Sequence, residues 1–342
     1  MENFSSFERI IGSIPEEEKD KLVQQRGKVF NDPNVGMELE PDLKNKVRQK
    51  TAEELAIIDL VNEATNDLLK KYDLPELNVP EQRIIIADKA KTLYLSVSKL
   101  IIVSDQNVKI ILAKKIAHEM IHLKSKNIFR YGSDKGGMLD ENSVGIEAQS
   151  ESGKKLFTNL NEAITEELAK QVCLQLLEND FFSNEKEQTE KLRMNRSDAI
   201  MEDGNPLFNK DTYYAEAEKV NGSLEGAINE LKRGKLEINT ESFTYPEERK
   251  VLEILINKIY EHRNNLSSSD KKEFNLRTRT EVFNFFAKSM LTGDLRAVIK
   301  LIDHTFKKIG TTQKMLHFEN KIGKDGKPFN DVDGQLKFVE DL

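Results

Sequence analysis

Apolar positions along this chain recur every three or four residues in some stretches and every two in others, and the change of period divides it into elements. From Gln106 to about Lys126 there is no Gly or Pro, and Leu112, Ile116, Met120 and Leu123 fall on one stripe of a wheel turning about 100° per residue. This predicts a helix, with Ser104 and Asp105 as candidate N-cap and first-turn acid. Ahead of it, Arg83-Ile84-Ile85-Ile86-Ala87-Asp88 is a β-branched run, Leu93-Tyr94-Leu95-Ser96-Val97-Ser98 alternates, and Leu100-Ile101-Ile102-Val103 is continuously apolar. Two or three strands are expected there.

The flanks read as helical. Pro15-Glu16-Glu17-Glu18 opens one N-terminal helix, and Thr51-Ala52-Glu53-Glu54 is a capping-box start for another running toward Leu74. Leu160 to Ala169 is a further Gly- and Pro-free stretch. Pro246 to about Asn264 carries the stripe Val251, Leu252, Leu255, Ile256 and Ile259, and Thr280–Met290 and Asp294–Lys307 form a pair broken at Thr292-Gly293. Between Arg130 and Thr158 the Gly, Ser, Asp and Lys content excludes a helix and predicts turns, with a hairpin through Gly145-Ile146-Glu147-Ala148. The polar stretch from Asn179 to Lys210 reads as a linker or loops. The expected class is α+β, divided into a helical region 1–75, a core 76–178, a linker and helical segment 179–245 and a helical subdomain 246–342.

The chemistry sits on the first of these helices. His118-Glu119-Met120-Ile121-His122 places two imidazoles four residues apart, hence on one face, where neutral rings share one zinc ion while the intervening Glu119 lies beside a water bound to it. On the wheel the pair falls roughly 200° or more from Leu112, off the main apolar stripe. The alternative for an isolated motif is a pair of histidines satisfied inside a core or idle on a surface. Zinc needs a third ligand, and Glu162 and Glu166 stand at i and i+4 on the Leu160–Ala169 helix. One can ligate while the other accepts a bond from a ligating histidine. Taken alone, acids at this spacing read equally as a solvated face.

HExxH followed by a helix bearing Asn161-Glu162-Ala163-Ile164-Thr165-Glu166 resembles the gluzincin metallopeptidases over roughly residues 80 to 180. The resemblance implies a zincin-like core, a small twisted sheet packed on the HExxH helix, with Glu162 as third zinc ligand and Glu166 as the partner that orients His118. It also implies that a sheet edge can take up an extended peptide and that a Tyr or His of the following helical subdomain serves the developing oxyanion. Tyr213, Tyr214, Tyr245, Tyr260 and His262 are the candidates. Tyr245, just ahead of the Pro246 helix, is preferred for its helix-entry position, against the alternative of an aromatic core residue.

Composition narrows the remaining classes. A net charge of −7 with interspersed bases argues against a nucleic-acid footprint. Mean hydropathy of −0.58 and the absence of a long apolar segment argue against a membrane protein. Met1-Glu2-Asn3-Phe4-Ser5-Ser6 lacks a basic, apolar leader, so the expected location is cytoplasmic. The single cysteine, Cys173, rules out an intramolecular disulfide and lies in an apolar run, which suits a buried thiol better than a nucleophile. The expectation is a zinc-dependent hydrolase of peptides or proteins, with His118, His122 and Glu162 holding the metal and Glu119 as base. The alternatives are a catalytically inactive zincin-fold module that binds protein, and a helical scaffold whose motif holds nothing.

Overall fold

The computed structural model describes residues 4–32, 41–88, 90–106, 108–132, 138–150, 153–187, 245–307, 310–323 and 328–342. The helices are α1 (Phe4–Phe7), α2 (Glu16–Asn31), α3 (Pro41–Lys44), α4 (Ala52–Lys71), α5 (Lys109–Lys124), α6 (Thr158–Leu176), α7 (Pro246–His262), α8 (Ser268–Phe274), α9 (Arg279–Thr292), α10 (Leu295–Phe306), α11 (Thr311–His317) and α12 (Val332–Glu340). The strands are β1 (Glu8–Gly12), β2 (Ile84–Ala87), β3 (Leu93–Leu95), β4 (Leu100–Ser104), β5 (Asn127–Gly132), β6 (Met138–Val144), β7 (Glu147–Gln149), β8 (Lys155–Leu156), β9 (Lys321–Ile322) and β10 (Pro328–Phe329). The class is α+β, as the sequence predicts. Two compact units are formed, one from residues 1–6, 14–124 and 168–244, the other from residues 7–13, 125–167 and 245–342, so that α6 begins in the second and ends in the first. Most of the expected 179–245 segment, with Tyr213 and Tyr214, lies outside the described residues.

In the first unit the capping box forms as expected: the Thr51 hydroxyl accepts from the Glu54 amide at 3.2 Å, and Glu54 Oε2 accepts from the Thr51 amide at 2.7 Å. Two or three strands are expected here, and three are present. β4 is central, parallel to β2 and antiparallel to β3. Both β2 and the apolar residues of β4 are buried, which is why these runs are continuously apolar rather than alternating. Helix α5 packs on β3 and β4 and on α4. It starts later than predicted, because Ser104 completes β4 and Asp105 is held by the Arg48 guanidinium at 2.7 and 3.2 Å, which lowers the Asp105 carboxyl below its usual range. Arg48 also pairs with Glu54, so one cation ties the start of α4 to the end of β4.

The second unit is built on a five-stranded sheet in the order β1-β5-β6-β7-β8. Here the expectation of an all-helical N-terminal region is corrected: Glu8–Gly12 is a strand, parallel to β5 with Ile10 opposite Phe129. A five-residue run offers little local signal, and its partner lies more than a hundred positions away. The 130–158 stretch has no helix among its described residues until α6 opens at Thr158, and the hairpin turns at Gly145-Ile146 between β6 and β7. Elsewhere in this unit, Val251, Leu252, Leu255, Ile256 and Ile259 of α7 are fully buried, with α9, α10 and α12 packed round that helix. Gly293 ends α9 in the left-handed region at φ 69°, and Asp294 caps α10 by accepting from the Ala297 amide at 3.1 Å. Among the described residues no helix is long and apolar enough to cross a membrane.

Candidate metal centre

Helix α5 brings the two histidines together as their spacing dictates. Their Nε2 atoms are 3.2 Å apart, with ring centroids at 4.9 Å and the rings inclined at 69°. One ligand atom each from His118, His122 and Glu162 all lie within 4.8 Å of one another. Two ligands held about 2.0–2.1 Å from a tetrahedral ion stand roughly 3.3 Å apart, so the imidazole pair has the span that one zinc ion requires. Two imidazoles and a carboxylate are also the donor set of a catalytic rather than a structural zinc site, with a fourth position left for water. The three residues are therefore able to hold a metal ion.

Burial departs from the wheel. The stripe Leu112, Ile116, Met120 and Leu123 is buried, but so are His118, Glu119 and His122 at 6–7% exposure. Polar residues inside a helix buried nearly all round are costly unless they have work to do. Glu166, one turn beyond Glu162 on α6 and thus on the same face, is buried as well.

Supporting groups fix both helices. Beyond His122, the Lys124 ammonium is 1% exposed and reaches Thr65 Oγ1 at 2.7 Å, Asn66 Oδ1 at 2.8 Å, Asn62 Oδ1 at 2.9 Å and the Asn62 carbonyl at 3.1 Å. Desolvation drives its basicity well below the usual lysine range. In the second unit, Asn161 accepts from the Ile146 amide at 3.2 Å and so seats the β6–β7 turn on α6 beside Glu162. Gly145 is required in that turn: its φ is +59°, and a Cβ there would lie 2.6 Å from Asn161 Oδ1. The Arg249 side chain of α7 bonds the fully buried Glu167 of α6 through Nε at 2.6 Å.

These contacts place the first turn of α7 near Glu162. Burial, and then the neighbouring Glu162 and Glu247 carboxylates, push the Glu248 carboxyl up. On β8, burial pulls the Lys155 ammonium down, but Glu147 at 2.6 Å, Glu141 at 3.9 Å and Glu162 outweigh it and raise its basicity. Tyr245, the preferred oxyanion candidate, is the N-cap of α7 and is held in the left-handed region at φ 61° and ψ 45°. Tyr260 is stacked under Arg263 and Arg279, and His262 packs edge-on to Phe306, so both serve the helical packing of their unit. Cys173 is buried, as expected.

The sequence reading missed Lys124, Arg249 and the Asn161 clasp. Only Lys124 carried a signal, a basic residue in the last turn of the HExxH helix. Comparison of the chain with family models, with curated proteins and with solved structures found no match.

Proposed function

We propose that this protein is a zinc-dependent peptidase of gluzincin type, in which His118, His122 and Glu162 hold the ion. The observation that carries the proposal is the convergence of these three ligand atoms within 4.8 Å, with the imidazole nitrogens 3.2 Å apart. Bound by these residues, a zinc ion would supply Lewis acidity to a carbonyl oxygen and to a water molecule. Glu119, between the ligands in sequence and 7% exposed, accepts the proton of the attacking water and passes it to the leaving amine. Glu166 orients a ligating imidazole from the same face of α6 as Glu162. Tyr245 donates to the developing oxyanion, a role supported by a left-handed backbone that an aromatic side chain adopts only when its surroundings impose it. Strand β3, at the edge of its sheet and antiparallel to β4, offers main-chain groups to an extended peptide.

The test is zinc content together with turnover of a peptide library. Glu119→Gln preserves shape and removes the base, so it retains about one zinc per chain and loses about a hundredfold or more of the activity. A wild-type protein that holds zinc and cleaves no peptide is a binding module instead, and one that holds no metal sinks the proposal outright.

A further inference from the structure

In the second unit, one face of α9 and the start of α10 border a cavity of about 580 Å³ that none of the metal-centre residues lines. Phe285, Lys288, Ser289 and Thr292 stand at i, i+3, i+4 and i+7, a single face of α9, and Asp294 and Ala297 complete the wall from α10. The gap has a local cause. Gly293 turns the chain at φ 69°, the buried stripe of α10 is Val298, Leu301 and Ile302, and the side chain that α10 gives to the cavity is only the methyl group of Ala297. The volume suits a small molecule. Two polar groups in this wall lack partners among the described residues. Ser289 is 4% exposed, and whereas the Thr292 hydroxyl donates to the Lys288 carbonyl at 2.8 Å, the Ser289 hydroxyl meets no donor or acceptor. Asp294 uses Oδ1 to accept from the Ala297 amide at 3.1 Å, and its Oδ2 accepts from nothing. A buried hydroxyl left unpaired is costly, and a polar ligand relieves that cost.

We infer that this cavity binds a free α-amino acid with an apolar side chain, of which leucine is the probe. The charges decide the class. Asp294 attracts an ammonium group and Lys288 a carboxylate, so a ligand carrying both meets each with its counter-charge, whereas a simple amine or a simple acid faces one like charge. The two residues are six positions apart, under two helical turns, a span that one short zwitterion bridges with the help of the long lysine side chain. Ser289 lies between them in sequence, and its hydroxyl donates to the carboxylate or accepts from the ammonium. Phe285 and Ala297 supply the apolar wall for the side chain of the ligand. Every residue used belongs to the second unit, and the site stands whether or not zinc binds at His118, His122 and Glu162.

The experiment is ligand-observed NMR on the full chain with leucine, with isoamylamine, which lacks the carboxylate, and with isocaproate, which lacks the ammonium. Leucine is expected to bind with a Kd of about 0.1–1 mM, and each of the other two about tenfold or more weakly. Asp294→Asn keeps the helix cap and removes the charge, so it is expected to weaken leucine about tenfold. Lys288→Met is expected to erase the preference for leucine over isoamylamine. Ala297→Leu fills the cavity and is expected to abolish leucine binding with Tm unchanged or raised. Absence of leucine binding to wild type at about 10 mM overturns the site. Equal affinity of wild type for leucine and isoamylamine overturns the zwitterion assignment, and undiminished leucine binding by a folded Ala297→Leu variant puts the ligand elsewhere and overturns the proposal as well. Should Ala297→Leu not fold, Asp294→Asn decides, since leucine affinity equal to that of wild type overturns it.

Discussion

Lys124 places its Nζ 2.7 Å from the Thr65 hydroxyl, so that α5, two residues past His122, is pinned to α4 by the hydrogen bonds of a buried amine as well as by apolar packing. Asn62 and Asn66 complete the cage, and the same two side chains hold the extended segment at Leu77 and Val79. Lys124→Met removes the donor to Thr65 Oγ1 and leaves Asn62 Oδ1 and Asn66 Oδ1 with only their backbone donors at Val79 and Leu77. The expected cost is on the order of 3 kcal/mol, seen in calorimetry as a Tm lowered by about 5 °C or more, with weaker zinc uptake in parallel. An unchanged Tm would show that the cage contributes nothing net.

Removing ligands should differ from removing their support. Alanine at His118, His122 or Glu162 is expected to abolish stoichiometric zinc, measured by elemental analysis after dialysis. Glu166→Ala should weaken binding by roughly ten- to a hundredfold without emptying the site. Glu167, its immediate neighbour, is held by Arg249 and fully buried. Glu167→Ala therefore removes the carboxylate that faces the half-buried Arg249 guanidinium and should lower stability while leaving zinc stoichiometry intact. Equal occupancy in wild type and His122→Ala refutes the ligand set.

Gly145 tests the path from the β6–β7 turn to the ligand. Gly145→Ala adds a methyl group 2.6 Å from Asn161 Oδ1 at a left-handed φ, so either the turn or Asn161 must move. More than about 1 kcal/mol of destabilisation is expected, together with reduced zinc affinity, because Glu162 follows Asn161 directly. Undiminished affinity in a destabilised variant would confine the turn to a structural role.

Acid stability has an identifiable source in the second unit. A bond from the Ser267 hydroxyl at 2.6 Å, and then His304 at 3.0 Å and Lys300, hold the Asp270 carboxyl down at about 2, below its ordinary 3.8. A depressed carboxyl stabilises the fold above its unfolded value and loses that contribution as pH falls through the folded one. Ser267→Ala removes both this bond and the cap that accepts from the Asp270 amide. The midpoint of acid unfolding, followed by circular dichroism, should move to higher pH, with stability near neutrality also lowered by about 1 kcal/mol through loss of the cap.

What the amino-acid sequence determined by itself is local. The Thr51 box, the Gly293 break, the three strands around Leu100–Val103 and the helical faces of HExxH and of Glu162 with Glu166 all depend on residues within about four positions of one another or on an uninterrupted apolar run. Such signals survive in one dimension. The tertiary structure alone decided the rest. It paired Glu8–Gly12 with a strand beyond residue 126, turned Asp105 from a helix acid into the partner of Arg48, and buried a helix whose wheel showed one apolar stripe. It also brought Glu162 to the histidines and set Glu319 on the first turn of α6. Each of these is a contact across tens to hundreds of residues, and its free energy comes from desolvation and exact partnering that no neighbouring residue encodes.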